Sequence, residues 1–250
     1  MTRLGDNLGM DIPTVFERAA TIDATRPFIT YYDDATGECT ELSYATFGNW
    51  VAKTANLIID DAGAEPGDVI SVDMPPHWLT GAIMIACWYA GMAIDHKATD
   101  NDIVFSTVDR LTSGPGQVYA VSTAPLAMGL RGEEAAAAEA VGAVDYLTEV
   151  RAHGDHFRPA APASAESTAL VGLPDGDTVD QRRLVRLAAD RAGELGVRPA
   201  DRVMFSAERL RPIDWLLVPL AVGGSVVVCR NSDPSNLVKR AGAENARHIG

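Results

Sequence analysis

Apolar spacing along this chain shifts from helical to alternating to continuous, and each shift predicts an element. Ile12, Val15, Phe16 and Ala19 share one helical face, with Pro13 in the first turn, where its missing N–H is harmless. Phe28-Ile29-Thr30-Tyr31-Tyr32 is aromatic and β-branched, so it predicts a strand. The turn residues Asp33 to Glu38 let Cys39 to Leu42 return as a hairpin partner. Ser43 is the expected N-cap of a helix carrying Phe47, Val51, Thr54, Ala55 and Ile58, stopped by Gly63. Val69 to Val72 reads as a strand and Trp78 to about Ala90 as a helix apolar nearly all round, hence buried. Gly91 ends it, and Met92-Ala93-Ile94 is the next strand. Such a strand–helix–strand run predicts parallel strands with a right-handed crossover.

Further on, Ile103 to Thr107, Gln117 to Val121, Val144 to Leu147 and Thr168 to Val171 read as strands, and Glu133 to Ala140 and Val179 to Leu195 as helices. The motif Gly63-x-x-Pro66-x-Asp68 recurs as Gly196-x-x-Pro199-x-Asp201, an offset of 133 residues. Each copy follows a helix and precedes a strand, the second being Arg202 to Ser206, and an apolar helix follows, about Ile213 to Ala221 in the second copy. At the same offset Gly91 falls on Gly224, ahead of the strand Val226 to Cys229. The retained spacing predicts duplicated α/β halves, with Asp68 and Asp201 in matching positions. The expected fold class is therefore α/β, two pseudo-repeated subdomains with mainly parallel sheets flanked by helices. Residues 1–152 form the first subdomain and 168–250 the second. The Pro-, Ala- and Ser-rich stretch 153–167 is an exposed connection, and the whole is one compact unit.

Charge narrows the function classes. With 21 basic and 34 acidic residues the net charge is −13, which repels phosphate backbones and anionic lipid, so no nucleic-acid or membrane partner is expected. The longest apolar stretch, Trp78 to Ile94, is interrupted by two glycines and is shorter than the ~18 residues a membrane span needs. Met1 to Asp6 has no apolar leader core, and Cys39, Cys87 and Cys229 form no CxxC pair, so buried free thiols and a cytoplasmic location are expected.

Candidate chemistry is sparse. His77, Asp95 and His96 each follow a predicted parallel strand, where open α/β sheets seat their ligands. A packing or capping role is the plainer reading of His77. His153-Gly154-Asp155-His156 is a dense polar cluster without the three or four converging ligands a metal needs, so no metal is expected there. Ser106 and Ser206 lie outside any Gly-x-Ser-x-Gly, and no Gly-x-Gly-x-x-Gly follows a strand, so hydrolase and dinucleotide chemistry lack support.

The order of elements resembles the N-terminal part of the adenylate-forming enzymes: acyl-CoA synthetases, firefly luciferases and peptide-synthetase adenylation domains. The resemblance rests on Gly63-x-x-Pro66-Gly67-Asp68, the apolar helix and its terminal Gly, Arg26 to Thr30 with Leu42-Ser43-Tyr44, and Pro219-Leu220 with Gly223 to Val227. It spans residues 14 to 240, and more closely the chain resembles a short actinobacterial family related to those enzymes. The resemblance implies a phosphate loop at Leu170 to Thr178. That stretch has Gly172 and Gly176 but no lysine and no Ser/Thr run, and Asp175 and Asp177 put negative charge where a triphosphate would sit. The family's adenine-binding and metal-binding motifs and its catalytic lysine have no counterpart in these 250 residues. No catalytic residue can be carried over, and no cofactor is expected. The expectation is a truncated, non-catalytic module that binds a protein partner or a small hydrophobic acid. The alternative is a divergent carboxylate ligase, or a half-enzyme completed by a partner chain.

Overall fold

A computed structural model describes residues 7–96, 101–159, 163–173, 176–207 and 214–249. In chain order the first elements are α1 (Ile12–Ile22), β1 (Pro27–Asp33), β2 (Glu38–Ser43) and α2 (Tyr44–Asn56). The Asp11 side chain accepts the Thr14 N–H to start α1, and the Ser43 hydroxyl accepts the Thr46 N–H to start α2, as its residue type predicts. A π-turn over Leu57–Asp61 extends α2 before Gly63 ends it. Next come β3 (Val69–Asp73), α3 (Trp78–Tyr89), β4 (Ala93–Asp95), β5 (Ile103–Thr107), β6 (Gln117–Val121), α4 (Glu133–Ala140), β7 (Val144–Asp145) and α5 (Tyr146–Val150). The strand expected through Leu147 stops at Asp145 because the Asp145 carboxylate accepts the Leu147 N–H and caps α5. The rest is β8 (Thr168–Leu170), β9 (Val179–Asp180), α6 (Gln181–Glu194), β10 (Arg202–Ser206), α7 (Leu217–Ala221), β11 (Ser225–Arg230), α8 (Pro234–Ala243) and β12 (Arg247–Ile249). Ile213, the expected start of α7, lies outside the described residues. No helix of the described residues is long and apolar enough to cross a membrane.

The chain divides into two compact units, and neither is contiguous. The first comprises Met1–Phe47, Pro76–Gly81 and Arg182–Gly250, the second Gly48–Pro75 and Ala82–Gln181. Strand pairing explains the difference from the division at 153–167. In the first unit the sheet order is β12-β10-β11-β1-β2, and in the second β7-β6-β5-β3-β4-β8-β9. All neighbours are parallel except the hairpins β1–β2 and β8–β9. The two repeats share one topology, β5-β3-β4 matching β12-β10-β11. Each repeat's opening hairpin, however, joins the sheet of the other repeat: β1 pairs with β11, and β8 with β4.

The expected repeat holds to the atom at the turn. The Asp68 carboxylate accepts the Glu65 N–H at 2.8 Å, and the Asp201 carboxylate accepts the Arg198 N–H at 2.9 Å. One correspondence shifts. Met92 N–H donates to the Cys87 carbonyl and Gly224 N–H to the Pro219 carbonyl, both at 2.8 Å. Gly91 therefore matches Gly223, at an offset of 132, and both are left-handed, with φ +84° and +62°. The second crossover is one residue shorter than the first.

Each unit has its own core. In the first, Phe16, Phe28, Tyr44 and Phe47 pack at centroid distances of 4.6–5.8 Å, closing α1 over the start of β1. In the second, Phe105 stacks on Tyr119 at 5.0 Å and meets Tyr146 edge-on, and the Tyr146 hydroxyl pairs with Thr54 Oγ1.

Candidate functional site

The second unit's sheet places Asp73, Asp95, Thr107 and Leu170 at the carboxyl ends of neighbouring parallel strands. The chain leaves β3 toward β4 on one side, then crosses to β5 on the other. An open α/β sheet seats ligands outside the strand ends at such a reversal. Two of the residues singled out in the sequence meet here. Asp95 ends β4, and the His96 ring turns back so that Nδ1 lies 3.3 Å from the Val72 carbonyl of β3. A carbonyl only accepts, so Nδ1 carries the proton and Nε2 is left as a bare lone pair. That nitrogen is buried and has no hydrogen-bond partner. Burial pulls the imidazole below its ordinary pKa, against the opposing pull of the Val72 carbonyl and Asp95.

The glycine loop reaches the same place. Gly172 follows β8 with φ +69°, and a Cβ there would lie 2.5–2.8 Å from the Asp95 carboxyl group. Only a glycine lets the loop pass so close to that carboxylate. The Gly176 N–H, which the sequence left open as a phosphate donor, donates to the Leu173 carbonyl at 2.9 Å. Asp177 is exposed, and Asp175 lies outside the described residues.

Local pattern alone did not single out three further groups at this edge. The Arg110 guanidinium pairs with Asp73 at 2.8 Å, across the ends of β5 and β3. Thr107 is 4% exposed, and its hydroxyl has no partner. Their one sequence signal is position, in or just after a strand.

His77 does not join them. It belongs to the first unit, is 1% exposed, and its Nδ1 accepts the Leu79 N–H at 3.1 Å, which caps α3. Its Nε2 faces Glu38 Oε2 at 3.6 Å, and its ring meets Tyr31 edge-on. Burial holds His77 below its ordinary pKa. Burial also pushes Glu38 upward, but the neighbouring His77 imidazole and the hydrogen bonds from Thr40 and Trp78 outweigh it and hold the carboxyl below its ordinary value. This is the capping and packing reading of the residue.

His153 and His156 sit in a loop fastened to the end of α2. Lys53 donates to the His153 carbonyl, Asn56 to the Gly154 and His156 carbonyls, and His153 Nε2 pairs with Asp61 at 2.9 Å. His156 is turned to solvent against Asp155. Among the described residues no three His, Cys, Asp or Glu side chains are grouped to hold a metal ion. A basic cleft in the first unit, lined by Arg198, Arg202 and Arg247, is largely neutralised. Arg202 pairs with Glu41 and Glu244, and Arg247 donates to the Leu195 and Gly196 carbonyls that end α6.

No family model matches the sequence. A curated Mycobacterium tuberculosis protein, described as a "TIGR03089 family protein", is 35% identical over 234 residues, covering 91% of this chain and 92% of that one. The chain belongs to the TIGR03089 family. This member's fold is similar to an acyl-CoA synthetase from Brucella canis, with TM-score 0.69 and 14% identity over 95% of this chain and 46% of that one. It is also similar to the N-terminal domain of FACL13 from Mycobacterium tuberculosis, with TM-score 0.66 and 12% identity over 94% and 61% of the two chains. A mutant form of coronafacic acid ligase from Pectobacterium brasiliense gives TM-score 0.69 and 12% identity over 95% and 49%. The TIGR03089 chain thus spans 46–61% of these solved chains. At that identity the likeness shows the fold, which is the one the resemblance implied: mixed α/β with mostly parallel sheets, as in the N-terminal domain of adenylate-forming enzymes.

Proposed function

We propose that this protein is a non-adenylating binding module, built on the N-terminal fold of the adenylate-forming enzymes and seating a small molecule at the strand ends around Asp95 and His96. The observation that carries this is the contact between the Asp95 carboxylate and Gly172. A phosphate cradle needs inward backbone N–H groups and a cation. Here a carboxylate stands at the glycine, the Gly176 N–H is committed to Leu173, and Leu170 to Thr178 contains no lysine. The enzymes that share this fold suggest a small hydrophobic acid as one ligand class, with a protein partner as the other.

ATP–pyrophosphate exchange with a panel of aliphatic and aromatic carboxylic acids tests the reading. The purified chain is expected to give the background rate with every acid. Acid-dependent exchange would assign it instead to the ligases whose fold it shares.

A further inference from the structure

His77 is a buried titratable side chain of the first unit. We propose that it is an acid-sensitive N-cap: a second proton on the imidazole releases the first turn of α3 and draws the ring to Glu38 instead. The proposal stands apart from the reading of the second unit's strand ends as a binding site.

The geometry makes the two bonds exclusive. Nδ1 accepts the Leu79 N–H at 3.1 Å, so in the capping state it holds a lone pair and the single imidazole proton sits on Nε2. That N–H faces Glu38 Oε2 at 3.6 Å, too far for a hydrogen bond, and both atoms are buried without a partner. A protonated imidazole carries N–H on both nitrogens and accepts nothing. Nδ1–H then points at the Leu79 N–H, donor against donor, and the cap cannot persist. The gain is on the other side of the ring, where Nε2–H becomes a charge-assisted donor. Glu38 is the carboxylate it closes on, because Oε1 is already held by the Thr40 hydroxyl and the Trp78 indole while Oε2 is not. One proton therefore exchanges a helix cap for an ion pair.

The surroundings decide which state is populated. Burial disfavours the charged ring, and Arg230 of β11 adds to that. Glu38 of β2 and Asp33 of β1 pull the other way. Tyr31 of β1 meets the ring edge-on at 4.4 Å, and burial keeps its phenol neutral. Burial prevails and holds His77 below its ordinary 6.5, so the cap is closed at pH 7.5. With the cap open the ring takes up a proton more readily, so acid shifts the population toward the open state, by at most about tenfold per pH unit for one proton.

Amide hydrogen exchange of the full chain from pH 7.5 to 5.5, corrected for intrinsic rates, tests this. Leu79 protection is expected to fall about fivefold or more relative to that of Val227, which is buried on a strand paired on both sides. The His77 ring nitrogens should move from one neutral tautomer to imidazolium over the same range. His77→Asn keeps an acceptor without a titrating group, so its ratio should stay flat. Glu38→Gln removes the carboxylate that receives the charged ring and should move the change to lower pH. A constant Leu79-to-Val227 ratio in the wild type overturns the proposal, as does loss of protection at both amides together, which is ordinary acid unfolding. A pH-dependent ratio that persists in His77→Asn overturns the assignment to His77, and an unshifted midpoint in Glu38→Gln overturns the exchange of cap for ion pair.

Discussion

Gly224→Ala is expected to destabilise the protein by about 3 kcal/mol, at the upper end of overpacking effects, or to leave it unfolded. Gly224 precedes β11, and a Cβ there would overlap the Asp201 carbonyl oxygen. That carbonyl also accepts the Ser225 N–H at 3.0 Å, the bond that begins the β10–β11 ladder. The obstacle is backbone, so no side chain can move aside. To fit a methyl group at the buried Gly224 the strands must part. Urea unfolding of Gly224→Ala beside Gly242→Ala, where a Cβ meets nothing within 4 Å, measures the difference. Equal midpoints would show that the turn relaxes freely and that the strand register is not set there.

His77→Ala is expected to cost about 2–3 kcal/mol at pH 7.5. It removes the acceptor of the Leu79 N–H and leaves the buried Glu38 carboxylate without its imidazole neighbour. His77→Asn keeps an acceptor for the N–H and should recover part of the loss. The pH dependence separates this role from simple packing. His77 has a folded pKa below its ordinary value of 6.5, so the unfolded chain takes up a proton first as pH falls. Its contribution is complete above pH 6.5 and is lost on acidification, at up to about 1.4 kcal/mol per pH unit. Glu38, depressed below 4.5, adds a loss of the same sign at lower pH. The groups facing the imidazole are Glu38 from β2, Tyr31 and Asp33 from β1, and Arg230 from β11. The stability gap between wild type and His77→Asn should therefore narrow between pH 7.5 and 5.5. A constant gap would mean that His77 does not titrate in this window.

Local chemistry made much of this fold legible. Gly-x-x-Pro-x-Asp predicted two equivalent turns, and both aspartates cap the same backbone position. Ser43 and Pro13 announced their helices. What stayed hidden depends on distant partners. The exchange of hairpins between the repeats rests on β1 meeting β11 and β4 meeting β8, some of them nearly 200 residues apart in sequence, and the patterns of Phe28 to Tyr32 and Thr168 to Val171 do not specify those neighbours. Asp145 ended a strand early through a side-chain cap that competes with the ladder. The equivalence of Gly91 with Gly223 was obscured by a one-residue deletion in the crossover. α8 and β12 were not predicted, although Asp233 before Pro234 is a helix-start signal, and Asp233 does accept the Ser235 N–H.

The candidate site divides in the same way. Asp95 and His96 were legible because a residue that follows a parallel strand lies at its carboxyl edge. His77 satisfied the same rule, yet it turned into the core, where the Leu79 N–H holds its Nδ1 and its Nε2 faces Glu38. The approach of Gly172 to Asp95 joins β8 to β4, and the pair Asp73–Arg110 joins β3 to β5. Neither contact is written in local sequence.

The central claim is that a carboxylate stands where a nucleotide's phosphates would need a cradle. A thermal-shift titration of the full chain with Mg·ATP tests it most directly. Ligand at 100 times its Kd would add about 2.7 kcal/mol to stability. The account predicts no saturable shift at sub-millimolar ATP. A clear saturating rise, abolished by Asp175→Ala combined with Asp177→Ala, would contradict it by showing that magnesium bridges these carboxylates to phosphate.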